Sequence, residues 1–192
     1  MDIEKRRRAE LIERLGPTFV CREEVRLKHA LFKDVTIRAD VVAISTAEPF
    51  DGIPIAFEVK EPAADWQVKK WIYCLRQASD YVYARIDRQT LGDIGWCQGR
   101  RIAAAFVYPA RVIDHFGLDD GPDPMLGAVT LAMHFRVGQA RPSRGKPSCF
   151  SLAFANNEIW NSDTGFKMTA DQFLDGRYRV GSRQINVFSE LE

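Results

Sequence analysis

Residues 35–44 read Val-Thr-Ile-Arg-Ala-Asp-Val-Val-Ala-Ile, a nearly continuous apolar run, rich in β-branched side chains, on both sides of Asp40. Such a run predicts a strand. Residues 54–60, Pro-Ile-Ala-Phe-Glu-Val-Lys, predict a second. Side chains alternate along a strand, so Glu58 and Lys60 share one face while Phe57 and Val59 take the other. Between the runs, Pro49 and Asp51-Gly52 mark a turn that returns the second strand beside the first. Downstream, residues 65–86 change period. Trp66, Lys69, Lys70, Tyr73, Gln77, Asp80, Tyr81 and Ala84 recur at spacings of three and four, with Ile72, Leu75, Ala78, Val82 and Tyr83 on an apolar side. That pattern predicts a helix, with Asp65 as N-cap after Pro62. Residues 2–15 predict a first helix that stops at Gly16-Pro17, followed by a strand carrying Glu23 and Glu24.

Residues 101–108 predict a further apolar strand of the central sheet, closed by Pro109. Residues 119–124 are a breaker-rich loop, and 125–135 fit either a strand or a short buried helix. Phe150, Leu152 and Phe154 alternate as in a half-buried strand, and Asn156-Asn157 turns the chain before Ile159 and Trp160. Thr169 and Gln172 have capping-box spacing and open a short helix to Leu174 that Asp175-Gly176 ends. No repeat or linker divides the 192 residues, which predicts one domain: an α/β core to about residue 108, then an α+β elaboration over about 109–192.

Composition adds exclusions. Hydrophobic residues at 46% and charged residues at 28% suit a soluble globular chain. No stretch reaches the roughly 18 apolar residues of a membrane span, and Met-Asp-Ile-Glu-Lys-Arg-Arg-Arg lacks a signal-peptide core, so the expectation is an intracellular, cytoplasmic protein. Cys21, Cys74, Cys97 and Cys149 are widely scattered, which predicts reduced, mostly buried thiols rather than a metal framework. His29, His115 and His134 share no ligand spacing, and neither a phosphate-binding P-loop nor a nucleophile elbow occurs. A net charge of +1 argues against indiscriminate coating of nucleic acid. Local basic segments remain: Lys5 to Arg8, the acid-free stretch with Arg141, Arg144 and Lys146, and Arg177, Arg179 and Arg183. The middle one reads equally as a phosphate grip or a solvated loop.

The chemistry concentrates at Asp40, Glu58 and Lys60. A carboxylate inside an apolar run requires a partner or a metal, because an unpaired buried charge is costly. Two acids and a lysine on adjacent strands are what metal-dependent hydrolysis of a phosphodiester needs: the acids hold a hard cation and the ammonium meets the water or the developing charge. The bland alternative is a surface salt bridge on an edge strand. Gln77 and Tyr81, four apart, share one helical face, and read alone they suit ordinary packing with a satisfied hydroxyl as well as a nucleic-acid contact.

Asp40, then Glu58-Val59-Lys60, then Gln77-x-x-x-Tyr81 resembles the PD-(D/E)xK nuclease superfamily, in particular its RecB-like branch, over about residues 10–108. The resemblance implies a restriction-endonuclease-like core, a central mixed β-sheet flanked by helices. It also implies Mg²⁺ or Mn²⁺ on Asp40 and Glu58, the Val59 carbonyl as a further ligand, and Lys60 positioning the attacking water. An acid from the first helix often completes such sites. Glu10 is the leading candidate, with Glu13, Glu23 and Glu24 as competitors. His29 lies too close to Asp40 to match the upstream histidine of the branch. Two functions are therefore expected to compete: a divalent-metal-dependent deoxyribonuclease acting in repair, recombination or mobile-element processing, and a catalytically inactive nucleic-acid-binding or assembly protein on the same fold.

Overall fold

The computed structural model describes residues 2–32, 34–60, 68–87, 99–109, 136–143, 146, 148–154, 157–174, 178–180 and 183–185. The chain opens with helix α1 (Ile3–Leu15), whose N-terminus is capped by the Asp2 carboxylate accepting from the Glu4 N–H at 3.2 Å. Gly16 ends it at φ 58°, a left-handed conformation that favours glycine. Strands β1 (Phe19–His29), β2 (Thr36–Ser45) and β3 (Pro54–Val59) follow, then helix α2 (Val68–Val82), β4 (Ala84–Ile86) and β5 (Ala104–Tyr108). The later elements are β6 (Val137–Pro142), β7 (Phe150–Phe154), β8 (Asn157–Asn161), β9 (Gly165–Phe166), α3 (Ala170–Leu174), and a separate hairpin of β10 (Tyr178–Val180) and β11 (Arg183–Ile185).

Among the described residues one mixed sheet runs in the order β4-β1-β2-β3-β5-β6-β7-β8-β9. β3, β5 and β6 are mutually parallel, and every other pairing is antiparallel. This is an α/β architecture, with the two longer helices on opposite faces of the sheet. Leu75, Ala78 and Val82 of α2 pack with Val42, Ile44, Ala56 and Val107 on one face. Leu11 and Leu15 of α1 join Phe57, Phe106, Phe150, Phe154, Trp160 and Phe173 on the other. No helix among the described residues is long and apolar enough to cross a membrane.

The expected α2 extends too far at its C-terminal end. Residues 84–86 form an edge strand, not a last helical turn. The Tyr83 N–H bonds the Asp80 carbonyl in a closing turn, after which Ala84 and Ile86 are buried and Arg85 is exposed, a period of two. Pairing of these residues with Leu27, Lys28 and His29 satisfies their backbone groups and overrides the helical spacing. Asp65 and Trp66 lie outside the described residues, as do 119–124 and 125–135.

β7 is buried on both faces, not half-buried. Ser151 and Ala153 are as enclosed as Phe150, Leu152 and Phe154, and the Ser151 hydroxyl is satisfied by donating to the Arg141 carbonyl. A Cβ on Gly138 would stand 2.6 Å from the Ala153 carbonyl oxygen and 2.7 Å from the Phe106 ring, so β6 approaches β7 at a distance that glycine alone allows. The capping box forms as expected. Thr169 N–H donates to the Gln172 side chain at 2.9 Å and Gln172 N–H to the Thr169 hydroxyl at 3.2 Å. Arg136 closes the other end of α3 by donating to the carbonyls of Phe173 and Leu174.

Candidate functional site

β2 and β3 pair antiparallel with Val41 opposite Phe57, so one step further Asp40 and Glu58 are level on neighbouring strands. The alternation of β2 breaks at this point. Ile37 and Ala39 pack on the α2 side, as Val42 and Ile44 do, whereas Val41 and Ala43 face α1. Opposite on β1, Glu24 sits at φ 56°, a strained conformation for a residue with a side chain.

Asp40, half-buried, accepts the Val59 N–H at 2.7 Å. Glu58 is only 1% exposed. One of its oxygens accepts the Tyr81 hydroxyl and the other stands 2.5 Å from the Lys60 ammonium. The Tyr81 oxygen also lies 3.0 Å from the Arg38 carbonyl, which fixes the phenol between β2 and β3. Asp40, Glu58, Lys60, Gln77 and Tyr81 thus line one open cleft of about 420 Å³, with Glu4, Ile37, Arg38 and Asp80 around it.

Burial pushes the Glu58 carboxyl above its ordinary range, and the Asp40 charge pushes it further, against the pull of Lys60 and Tyr81. Burial raises Asp40 as well, opposed by the Val59 N–H, Lys60 and Arg8. Burial would lower the Lys60 ammonium, but the bond to Glu58 and the two carboxylates raise it instead. The pair is lopsided because the lysine is 31% exposed and the glutamate is not. Tyr81 is shifted upward by burial and by Glu58, so it stays protonated and serves as a donor.

Several expected site residues fall elsewhere. Glu10 is held by Arg7 at 2.6 Å and Arg14 at 3.2 Å and bonds to Tyr108, away from the cleft. The α1 acid on the cleft is Glu4, two turns nearer the N-terminus. Leu11 and Leu15 seat α1 on the sheet, and the α1 side chain this leaves on the cleft is Glu4. Glu13 is exposed and outside the lining, while Glu23 and Glu24 are tied to Arg8 at 3.0 Å each. Val59 meets Asp40 through its N–H, and its side chain is buried on the opposite face.

The basic loop is also corrected. Arg141 belongs to β6 and is 5% exposed, so it is not a loop side chain. Lys146 is exposed but pairs with Asp163 at 2.9 Å, an acid supplied by the turn between β8 and β9 that is invisible in the local sequence. Arg144 lies outside the described residues, as does Arg177; Arg179 and Arg183 lie on β10 and β11. Cys21, Cys74 and Cys149 are free thiols, with Cys21 and Cys74 pushed up to about 12 by burial; Cys97 is outside the described residues. His29 is buried, its Nδ1 accepting from the Leu31 N–H. Among the residues missed, Glu4, Arg38 and Asp80 line the cleft. Asp80 was legible, because it lies three after Gln77 on the same helical face.

The donor set fits a hard divalent cation. Two carboxylates stand level on adjacent strands, both raised by burial, on a cleft whose other acids are Glu4 and Asp80 and whose bases are Arg38 and Lys60. Among the described residues no group of three or more His, Cys, Asp or Glu side chains is placed to hold a metal ion, so the protein ligands here are the two carboxylates. Protein-family models, curated proteins and solved structures were each searched, and none matches this chain.

Proposed function

We propose that this protein is a divalent-metal-dependent nuclease of the PD-(D/E)xK type, hydrolysing DNA phosphodiester bonds at the cleft between β2, β3 and α2. The observation that carries the reading is the convergence of a buried Glu58, a half-buried Asp40 and Lys60 at level positions of two strands, with Gln77 and Tyr81 facing them from α2. A structural salt bridge does not require burying a carboxylate whose ionisation burial opposes. The order α1, β1, β2, β3, α2, β4, β5, with β5 parallel to β3 and β4 set at the far edge, supports a restriction-endonuclease-like core.

Asp40 and Glu58, with the Val59 carbonyl, would hold Mg²⁺ or Mn²⁺, which when bound lowers the pKa of water and offsets charge on the phosphorus oxygens. Val59 N–H orients the Asp40 carboxylate, and Tyr81 orients Glu58. The Lys60 ammonium, which stands on Glu58, would donate to the attacking water or to the developing phosphate charge. Gln77 and Arg38 line the cleft wall, where they would meet the substrate. Incubation of the purified protein with linear, circular and single-stranded DNA, in Mg²⁺, Mn²⁺ or chelator, tests this directly. Cleavage that needs the metal and disappears in Lys60→Met supports it. Binding without cleavage under every condition would leave the inactive nucleic-acid-binding protein as the correct reading.

A further inference from the structure

Strands β1 and β2 change faces together at one step. Phe19 and Cys21 of β1 pack on the α1 side, whereas Val25 and Leu27 pack on the α2 side, and β2 makes the same switch between Ala39 and Val41. Pairing of Glu23 with Val41 and of Val25 with Ala39 leaves Glu24 facing Asp40 at the step. Glu24 is also where the backbone turns left-handed, at φ 56°. That conformation costs a residue with a side chain stability that glycine would not lose, so a glutamate held in it inside a strand points to a use for its carboxylate. The carboxylate joins two arginines from different elements. One oxygen stands 3.0 Å from Arg8 Nη1 on α1, and the other 2.8 Å from Arg38 Nε on β2. Arg8 is fixed further by donating from its Nε to Glu23 at 3.0 Å, and little of its side chain is exposed. Arg38 is different. Its side chain is 67% exposed and lines the cleft with Asp40.

We propose that Glu24 is a positioning residue: it holds the Arg38 guanidinium at the cleft rim so that the terminal N–H groups take a phosphate of the nucleic-acid strand beside the scissile one. A carboxylate at Nε leaves those terminal groups for a second acceptor, and a guanidinium matches a phosphate in geometry as well as in charge. An exposed arginine loses rotamer freedom when it binds an anion, and an anchor at Nε takes part of that loss before the substrate arrives. Arg8, seated on α1, holds the other carboxylate oxygen and keeps the anchor from swinging away. The proposal rests on the reading of the cleft as a phosphodiester site, because that reading brings a chain of phosphates to the rim.

Binding of fluorescent single-stranded and duplex DNA oligonucleotides in chelator, over a range of salt, separates anchoring from screening. A carboxylate that only screened Arg38 would weaken binding, so its loss in Glu24→Gln would tighten it. Anchoring predicts the reverse: Glu24→Gln should bind about fivefold more weakly, the cost of ordering one long side chain at binding. Arg38→Gln, which removes the contact itself, should lower the log-log salt slope by roughly 0.7 to 0.9. Glu24→Gln/Arg38→Gln should bind no more weakly than Arg38→Gln alone, because the anchor then has nothing to hold. Glu24→Gly relieves the left-handed backbone, so it should melt above Glu24→Gln while binding DNA as weakly, whereas a purely structural role would move stability and binding together. Tighter or unchanged binding by Glu24→Gln, additive losses in the double variant, or no binding by the wild type overturns the assignment. If the cycle comes out as expected while the wild type cleaves no DNA with any metal, the positioning role stands and the nuclease reading fails. If the wild type cleaves and Glu24→Gln binds as tightly as it does, the converse holds.

Discussion

Two glutamates, each bonded to a lysine, behave oppositely in the two halves of the sheet. Glu58 on β3 meets Lys60 two residues along the same strand, is almost wholly buried, and is shifted upward by burial and by Asp40. Glu158 on β8 meets Lys167 beyond β9. Burial there would also raise the carboxyl, but hydrogen bonds from Lys167, Asn161 and Ser143 outweigh it and hold Glu158 down at about 2. Ionised Glu158 therefore stabilises the fold, whereas ionised Glu58 opposes it. Carboxylates whose charge the surrounding structure resists, grouped in an open cleft, have the character of a functional site. The C-terminal strands use the same chemistry for cohesion.

Asp40→Asn should lower metal-dependent DNA cleavage by roughly 10²–10³-fold or more while the protein melts no lower than the wild type in chelator; a fall in melting temperature alongside the loss of activity would make Asp40 structural. Gly138→Ala should destabilise by about 3 kcal/mol, read from chemical denaturation, because the new methyl meets the backbone carbonyl of Ala153 at 2.6 Å. Its cost should appear as stability, with activity per folded molecule kept. Glu158→Gln should cost about 1–2 kcal/mol near neutral pH. A depressed folded pKa gives stability that is present above the ordinary value of 4.5 and is lost as pH falls through to about 2, so the difference between variant and wild type should shrink in acid. A pH-independent difference would detach the effect from the charge of Glu158.

The strands and the strand-borne part of the site were legible because period two and β-branching report a sheet locally, and alternation alone sets Glu58 and Lys60 on one face. Gln77 and Tyr81 followed from helical spacing in the same way, and the capping box of α3 from two side chains three apart. What failed depended on packing at a distance. Glu4 lines the cleft where Glu10 was expected, because of how Leu11 and Leu15 seat α1, and the ending of α2 before residue 84 is set by pairing with a strand more than fifty residues upstream. Arg141 reads as a loop cation beside Pro142 and Gly145, but β7 claims it as a partner for Ser151.

The smallest effect bears most directly on the central claim, that Glu58 is kept for a cation and not for the fold. Raised folded pKa values at Asp40 and Glu58 mean that their contribution to stability is present below the ordinary carboxylate range and is lost as pH rises through the raised values. At neutral pH, Glu58→Gln should therefore be as stable as the wild type in chelator or more so, by no more than about 1 kcal/mol, roughly 2–4 °C for a chain of this size. The decisive measurement is the melting temperature of wild type and Glu58→Gln at neutral pH, each with chelator and with Mn²⁺. Mn²⁺ should raise the wild type through ligand linkage and leave the variant unmoved. A variant that melts lower in chelator and keeps the full Mn²⁺ shift would contradict it.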